Sequence, residues 1–248
     1  MASSAIPAGL YGCAAQPPDA DTIDAARRHV QYALHRGSRF CQLPLFFTVG
    51  VGTWRADPGA VWVWKAVEAA RLLASSVGRN AFTDTLAIHT EGPIAAVKAA
   101  LAWAGLEIHD MMLCECGKLR GANILGASKH ALRGVVLQAI RTRDLTKASR
   151  RGEQHGLADG ADVDECRRII KRLPTQGMQE AAKAVATGDV VTRSQSRFWQ
   201  GHDGNCHCGG GKETVKHFLW SCPFTWVARN TAGPTLGSLE GRPPYQLK

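Results

Sequence analysis

The sequence has no run of about 18 apolar residues, the length a helix needs to cross a bilayer, so no membrane partner is expected. Its first residues, MASSAIPAGLYGC, lack the basic and apolar regions of a secretory signal. Eight cysteines in 248 residues are too few for a disulfide-built scaffold. These absences together set the expectation of a soluble intracellular protein in a reducing compartment, with the nucleus favoured over the cytoplasm. A phosphate-cradling loop is missing too. Gly209-Gly210-Gly211-Lys212 is followed by Glu213, where a serine or threonine should hold magnesium. The H-x-E and P-C-x-x-C pair of zinc deaminases is also absent. Cysteine–histidine nucleophilic pairs could be drawn among eight cysteines and nine histidines, but nothing singles one out.

Carboxylates are scarce where cations are dense. Between Gly117 and Arg151, nine lysines and arginines face Asp144 alone, so this stretch carries nearly all of the chain's net charge of +9. Charge concentrated in this way suits a polyanion, because neutralising phosphates releases condensed counterions. Lys129, Arg133, Arg141, Arg143, Lys147, Arg150 and Arg151 are the candidate phosphate contacts.

An apolar content of 45% is enough for a packed core. Helical periodicity dominates. Asp21 can cap a helix carrying Ile23, Ala26, Val30, Ala33 and Leu34 that stops at Gly37. Residues 40–54 are apolar and broken by glycine, and read as a buried loop or short strand. Asp57-Pro58 starts a helix with Val63, Trp64, Val67, Ala70 and Ala74 on its apolar face. Pro93 opens another, with Ile94, Val97 and Leu101 in register and Gly105 near its end. Ser128 caps the basic helix, whose Leu132, Val136, Ala139 and Ile140 face inward. After a loop at 152–161, Asp162 and Glu165 form a capping box for a helix with Cys166, Ile169, Ile170 and Leu173 inward, ended by Pro174. A last long helix runs through Met178, Ala181, Ala182 and Val185 to Gly188. From Arg229 the composition turns to Gly, Pro, Ser and Thr, an irregular tail.

The sharpest chemistry lies in NCHCGGGKETVKHFLWSCP, residues 205–223. Cys206, Cys208, His217 and Cys222 follow the order C-x-C-x8-H-x4-C. Three thiols and one imidazole suit a single structural Zn2+, which takes four soft or borderline ligands in a tetrahedron. The glycines let the chain fold back and aim backbone N–H groups at sulfur. His202 or His207 could replace one thiol. Thr214 or a neighbour caps a short helix bearing His217. Five α-helical steps leave Cys222 about 140° round from His217, so the helix should unwind before it, helped by Pro223. Val215, Phe218, Leu219 and Trp220 supply a small core. Lys212 and Lys216 can meet phosphates, and Trp199 can stack on unpaired bases. Four protein ligands leave no open position for catalysis at the metal. Cys114 and Cys116 repeat the C-x-C-G opening, but no His-x4-Cys follows, and Cys13, Cys41 and Cys166 read as plain buried thiols.

This run resembles the CCHC zinc-binding region near the C-terminus of LINE-type (non-LTR) retrotransposon polyproteins, downstream of the reverse transcriptase. Cys206, Cys208, His217 and Cys222 match its ligand positions, and Glu213-Thr214-Val215 matches the stretch before its histidine. Upstream, residues 7–12, Asp57-Pro58, Gly92-Pro93, residues 187–190 and Thr192-Arg193 look like the thumb and connector that follow the polymerase palm. The resemblance implies a mainly α fold: a thumb-like segment at 1–56, a helical connector at 57–125, a basic helical segment at 126–200, a CCHC knuckle at 201–226 and a disordered tail at 227–248. It implies RNA or DNA as partner, single-stranded favoured, alongside polymerase and nuclease domains of a parent polyprotein. The family's polymerase motif, Tyr-x-Asp-Asp, is absent, and so is any spaced carboxylate set of a nuclease. The chain alone is therefore expected to bind nucleic acid without catalysing chemistry. The alternative is a zinc-stabilised protein-interaction or structural module.

Overall fold

A computed structural model describes residues 19–35, 41–51, 53–117, 121–150, 156–157 and 159–226, without the side chains of His35, Trp199 and Trp220. Cys13, Gly37, Lys118, Arg120, Arg151 and the tail from Arg229 lie outside the described residues. The described chain is mainly helical, with one small antiparallel sheet. No described helix is long and apolar enough to cross a membrane. Contacts divide the chain into two units, one within residues 1–37 and 51–144, the other within 38–50 and 145–248.

The first unit is built on α3, Pro58–Val77; the described part also includes α1 (Ala20–His35), α4 (Arg79–Ile88) and α5 (Gly92–Ala104). Asp57 caps α3 by accepting from the Gly59 N–H at 2.9 Å, and Pro58 gives up a donor that had no partner there. Val63, Trp64, Val67, Ala70 and Ala74 are buried as the periodicity requires. Position 59 accepts only glycine, since a Cβ there would sit 2.2 Å from the Trp103 ring. Asp19, one position before α1, receives the Thr22 N–H at 2.5 Å, so the cap expected at Asp21 falls two residues earlier. Gly105 closes α5 in the left-handed region, at φ 72°.

Three features of this unit were not read from the sequence. Residues 79–88 form α4. Residues 106–123 form strands β1 (Leu106–His109), β2 (Met112–Glu115) and β3 (Gly121–Asn123), paired in that order with His109 opposite Met112 and Cys114 opposite Gly121. Asp110 and Met111 make the β1–β2 turn, both at positive φ, 47° and 67°. Such two-residue turns ordinarily use Asn-Gly or Asp-Gly; here Met111 is held by burial and by accepting the Ile124 N–H at 2.8 Å. The third feature is ionic. Arg27 is fully buried and bonds two carboxylates, Asp57 at 3.0 and 3.1 Å and Asp144 at 2.5 and 3.1 Å.

α6, Lys129–Ser149, begins in the first unit and ends in the second. The Ser128 hydroxyl receives the Ala131 N–H at 3.1 Å, and Leu132, Val136, Ala139 and Ile140 are buried, as expected. In the second unit, residues 43–50 are helical: α2, Leu43–Leu45, continues as a π turn over Phe46–Gly50. This corrects the expected loop or strand. The run is largely apolar because it is buried, with Leu45 and Val49 in a core with Leu145, Ala148, Leu157, Val163 and Ile170. α7 (Val163–Arg172) starts where Asp162 receives the Glu165 N–H at 2.8 Å, but Ile169 faces solvent rather than the core. α8 (Gln176–Thr187) ends at Gly188, φ 71°. α9, Arg193–Gln200, follows; its first turn is tied by the Thr192 N–H donating to Gln195 Oε1 at 3.1 Å.

Candidate metal centre

Three local devices bring four distant side chains together. The first is a tight hairpin over 204–213. Cys206 N–H donates to Gly211 O at 2.8 Å, Gly209 N–H to Cys206 O at 3.1 Å and Glu213 N–H to Gly204 O at 3.0 Å. Gly209 and Gly211 stand at φ 76° and 97°, the region side chains avoid. Between them, a Cβ on Gly210 would come within 3.0 Å of the His217 ring and 3.2 Å of Cys208 Sγ. The glycine run thus serves both backbone conformation and close approach.

The second device is the turn that carries His217. Thr214 Oγ1 receives the His217 N–H at 3.0 Å, as a cap. The helix ends before Cys222, which stands in extended backbone at φ −72° and ψ 124°, as expected. It widens into a π turn over His217–Ser221, closed by Cys222 N–H donating to His217 O at 2.7 Å. One extra residue per turn brings positions i and i+5 together as an α-helix does i and i+4. That widening removes the angular gap an α-helix would leave between His217 and Cys222.

The third device is α9. Arg193 Nε donates to Asn205 O at 2.7 Å, its Nη1 lies 2.8 Å from His207 Nε2, and its backbone N–H donates to Glu213 Oε1 at 3.0 Å. One residue thereby grips both strands of the hairpin, and its guanidinium brackets Cys206. His207, which could have replaced a thiol, is engaged with this arginine. His202 bonds Ser196 Oγ at 2.8 Å and receives the Gly204 N–H at 3.1 Å, so it serves the loop.

The result is a cluster of Cys206, Cys208, His217 and Cys222 whose ligand atoms all lie within 4.8 Å of one another. Cys206 and Cys222 sulfurs are 3.6 Å apart, and Cys208 Sγ is 3.2 Å from His217 Nε2. A tetrahedral zinc with bonds of about 2.3 Å to sulfur separates its ligands by roughly 3.8 Å, so the set fits such an ion with small adjustments. The Gly210 N–H points at Cys208 Sγ, 3.3 Å away, a donor placed to stabilise a thiolate. Cys206 and Cys222 are buried, while Cys208 and His217 are half-buried. The Cys208 N–H favours a thiolate at Cys206, but burial and the neighbouring thiols outweigh it and push Cys206 up to about 11. At Cys222 burial opposes ionisation, yet the Phe224 N–H and the Cys206 thiol hold it below the usual value. Cys206 and Cys222 thus differ in acidity, and metal uptake expels the protons that ligand thiols hold.

Arg193→Ala should weaken zinc affinity roughly 10–100-fold, the usual effect of removing a group that orients metal ligands. Competition against a chromogenic chelator measures this, and an unchanged affinity would contradict the bracing role.

The basic residues are not gathered in the same way. Arg133 lies between Trp54 and Trp64, 4.9 and 5.0 Å from their ring centres, with its Nε buried and without a hydrogen-bond partner. Arg143 packs 3.8 Å from the Trp103 ring centre and bonds Asp144 at 3.0 Å. Lys129 is exposed and pairs with Glu68 at 3.3 Å, and Arg141 is half-buried. Lys147, Arg150, Lys212 and Lys216 are exposed in the second unit. Cys114 is buried in β2 and Cys116 is exposed after it, and no second cluster of metal-binding side chains occurs among the described residues. Sequence reading named Thr192-Arg193 within the resemblance and Trp199 as a stacking residue, but gave Arg193 no role at the metal loop and placed no helix at 193–200, although Thr192-Arg193-Ser194-Gln195, with threonine three residues before glutamine, is a capping-box pattern. No family model, curated protein or solved structure matches this chain.

Proposed function

We propose that this chain is a zinc-stabilised nucleic-acid-binding segment of the type found near the C-terminus of LINE-type retrotransposon proteins. The convergence of Cys206, Cys208, His217 and Cys222 supports this reading most directly. Zinc bound there supplies structure: in comparable finger peptides it contributes about 10–16 kcal/mol at pH 7. With four protein ligands the ion has no open position, so the site holds the chain rather than a substrate.

Binding then falls to the chain's own cations. Lys212 stands on the returning strand of the hairpin, opposite Asn205, and Lys216 stands just before His217; both are exposed. Among the described residues neither forms an ion pair. Lys147 and Arg150 add charge at the end of α6. Arg133 and Arg143, by contrast, are committed to tryptophans and carboxylates. In a parent polyprotein this segment holds template or target beside an active site contributed by other domains.

Titrating the zinc-loaded chain with labelled single-stranded RNA at several salt concentrations tests the proposal. Affinity should fall with salt at a slope of about −0.7 per neutralised phosphate, and Lys212→Glu with Lys216→Glu should flatten that slope. No binding at low salt would refute it.

A further inference from the structure

We propose that Phe198, on α9, is a stacking platform for an unpaired nucleobase, which gives the segment a preference for single strands over duplex. The inference rests on the nucleic-acid reading above. Its own support is the distribution of exposed rings. The exposed rings among the described large hydrophobics are Tyr32, Phe198, Phe218, Phe224 and Trp226, and all but Tyr32 belong to the knuckle and its bracing helix. Phe198 is the most exposed of all, at 76%. A phenylalanine stabilises its fold through the apolar area it removes from water, and this one leaves most of its area in solvent.

Its surroundings indicate what covers it. The Arg197 guanidinium lies 4.5 Å from the Phe198 ring centre. The Arg197 side chain also approaches Gly204, at the base of the metal hairpin, to 3.1 Å from where a Cβ would stand. A ring backed by a guanidinium offers a π-face and a positive charge together, which matches a base and its phosphate. Across residues 193–216 four cations face two carboxylates. Both carboxylates are already engaged: Asp203 accepts from Asn205 N–H at 2.8 Å, and Glu213 from Arg193 N–H at 3.0 Å. Arg197, Lys212 and Lys216 make no ion pair among the described residues. The local surface is thus aromatic and cationic, which fits a single-stranded polyanion with exposed bases better than an apolar protein face. Duplex DNA keeps its bases stacked and cannot offer a free base face.

α9 is also tied to the hairpin, through Arg193 to Asn205 O and Glu213 and through Ser194 N–H to Glu213 O at 3.3 Å. The metal loop therefore sets where the helix presents this ring.

The test compares the zinc-loaded full chain with its Phe198→Ala and Phe198→Trp variants. The probes are labelled oligouridine, oligodeoxythymidine and a DNA duplex of equal length. Zinc content and circular dichroism should be the same in all three proteins, since the side chain is exposed. Phe198→Ala should lose roughly 5- to 150-fold in single-strand affinity, with duplex binding and salt slope unchanged, and Phe198→Trp should restore it. If the parent chain binds no probe, the nucleic-acid reading fails and this inference falls with it. If the parent binds but Phe198→Ala matches it, the stacking site alone is overturned, and the ring belongs to a protein contact. Equal loss on single strand and duplex would overturn it as well.

Discussion

Replacing Arg27 with leucine should destabilise the first unit by about 3–5 kcal/mol, the usual cost of removing one partner from a buried ionic group. Arg27 is fully buried, and Asp57 and Asp144 are buried against it with side-chain exposures of 7% and 1%. Without the guanidinium, two carboxylates would face each other in low dielectric. Denaturation followed by tryptophan fluorescence measures the change, because Trp54, Trp62, Trp64 and Trp103 report on this unit. Adding Asp144→Asn to Arg27→Leu should recover part of the loss, since the repulsion disappears with one charge. A change under 1 kcal/mol would mean that the network is solvated in solution.

The deficit should also depend on pH. Burial pushes the Asp57 carboxyl above its ordinary value; Arg27 opposes this, and the charge of Asp144 adds to it. A carboxyl raised in the fold contributes stability that is present below its unfolded value and lost as pH rises through the folded one. Removing Arg27 takes away the opposing influence. The variant should therefore be closest to the parent in the ordinary carboxylate range and furthest from it near neutrality. An equal deficit at both would contradict the electrostatic account.

Cys222→Ser should dismantle the metal centre while leaving the first unit folded. Cys222 is buried, and it links the hairpin to the π turn through its sulfur, 3.6 Å from Cys206. A serine oxygen is a poor substitute in a site that otherwise presents two thiols and an imidazole. So small a unit has little core of its own: Phe218 is 39% and Phe224 70% exposed. Hydrogen exchange should show protection lost over residues 203–226, and over α9 through the Arg193 clamp, with residues 58–77 unchanged. Chelation of the parent protein should give the same map. Retained protection at 203–222 in the variant would mean that the hairpin folds without metal.

What the sequence discloses and what it hides divide along physical lines. Helix starts at Asp57-Pro58, Ser128 and Asp162 were legible, because a cap is made by residues within one turn of each other. The ligand order was legible for a similar reason: the hairpin glycines and the Thr214 cap are local. The sheet at 106–123 was not, since its first turn, Asp110-Met111, has no glycine and is held by burial of Met111. The π turn at His217 was hidden because α-helical spacing is the default assumption, and the widening appears only once Cys222 N–H meets His217 O. Charge counting says nothing of partners. Arg133 and Arg143 read as part of a basic face, but their partners Trp54, Trp64 and Trp103 come from other elements, and no periodicity within α6 reports a contact made in tertiary structure. Arg27 was invisible for the same reason.

The central claim is that these four side chains form one closed metal site. Native mass spectrometry of the full chain, purified under reducing conditions without chelators, tests it most directly. The account predicts a mass shift for one zinc per chain, abolished in Cys222→Ser and retained in Cys116→Ser. A chain that carries no metal yet keeps residues 203–222 protected from exchange would contradict it.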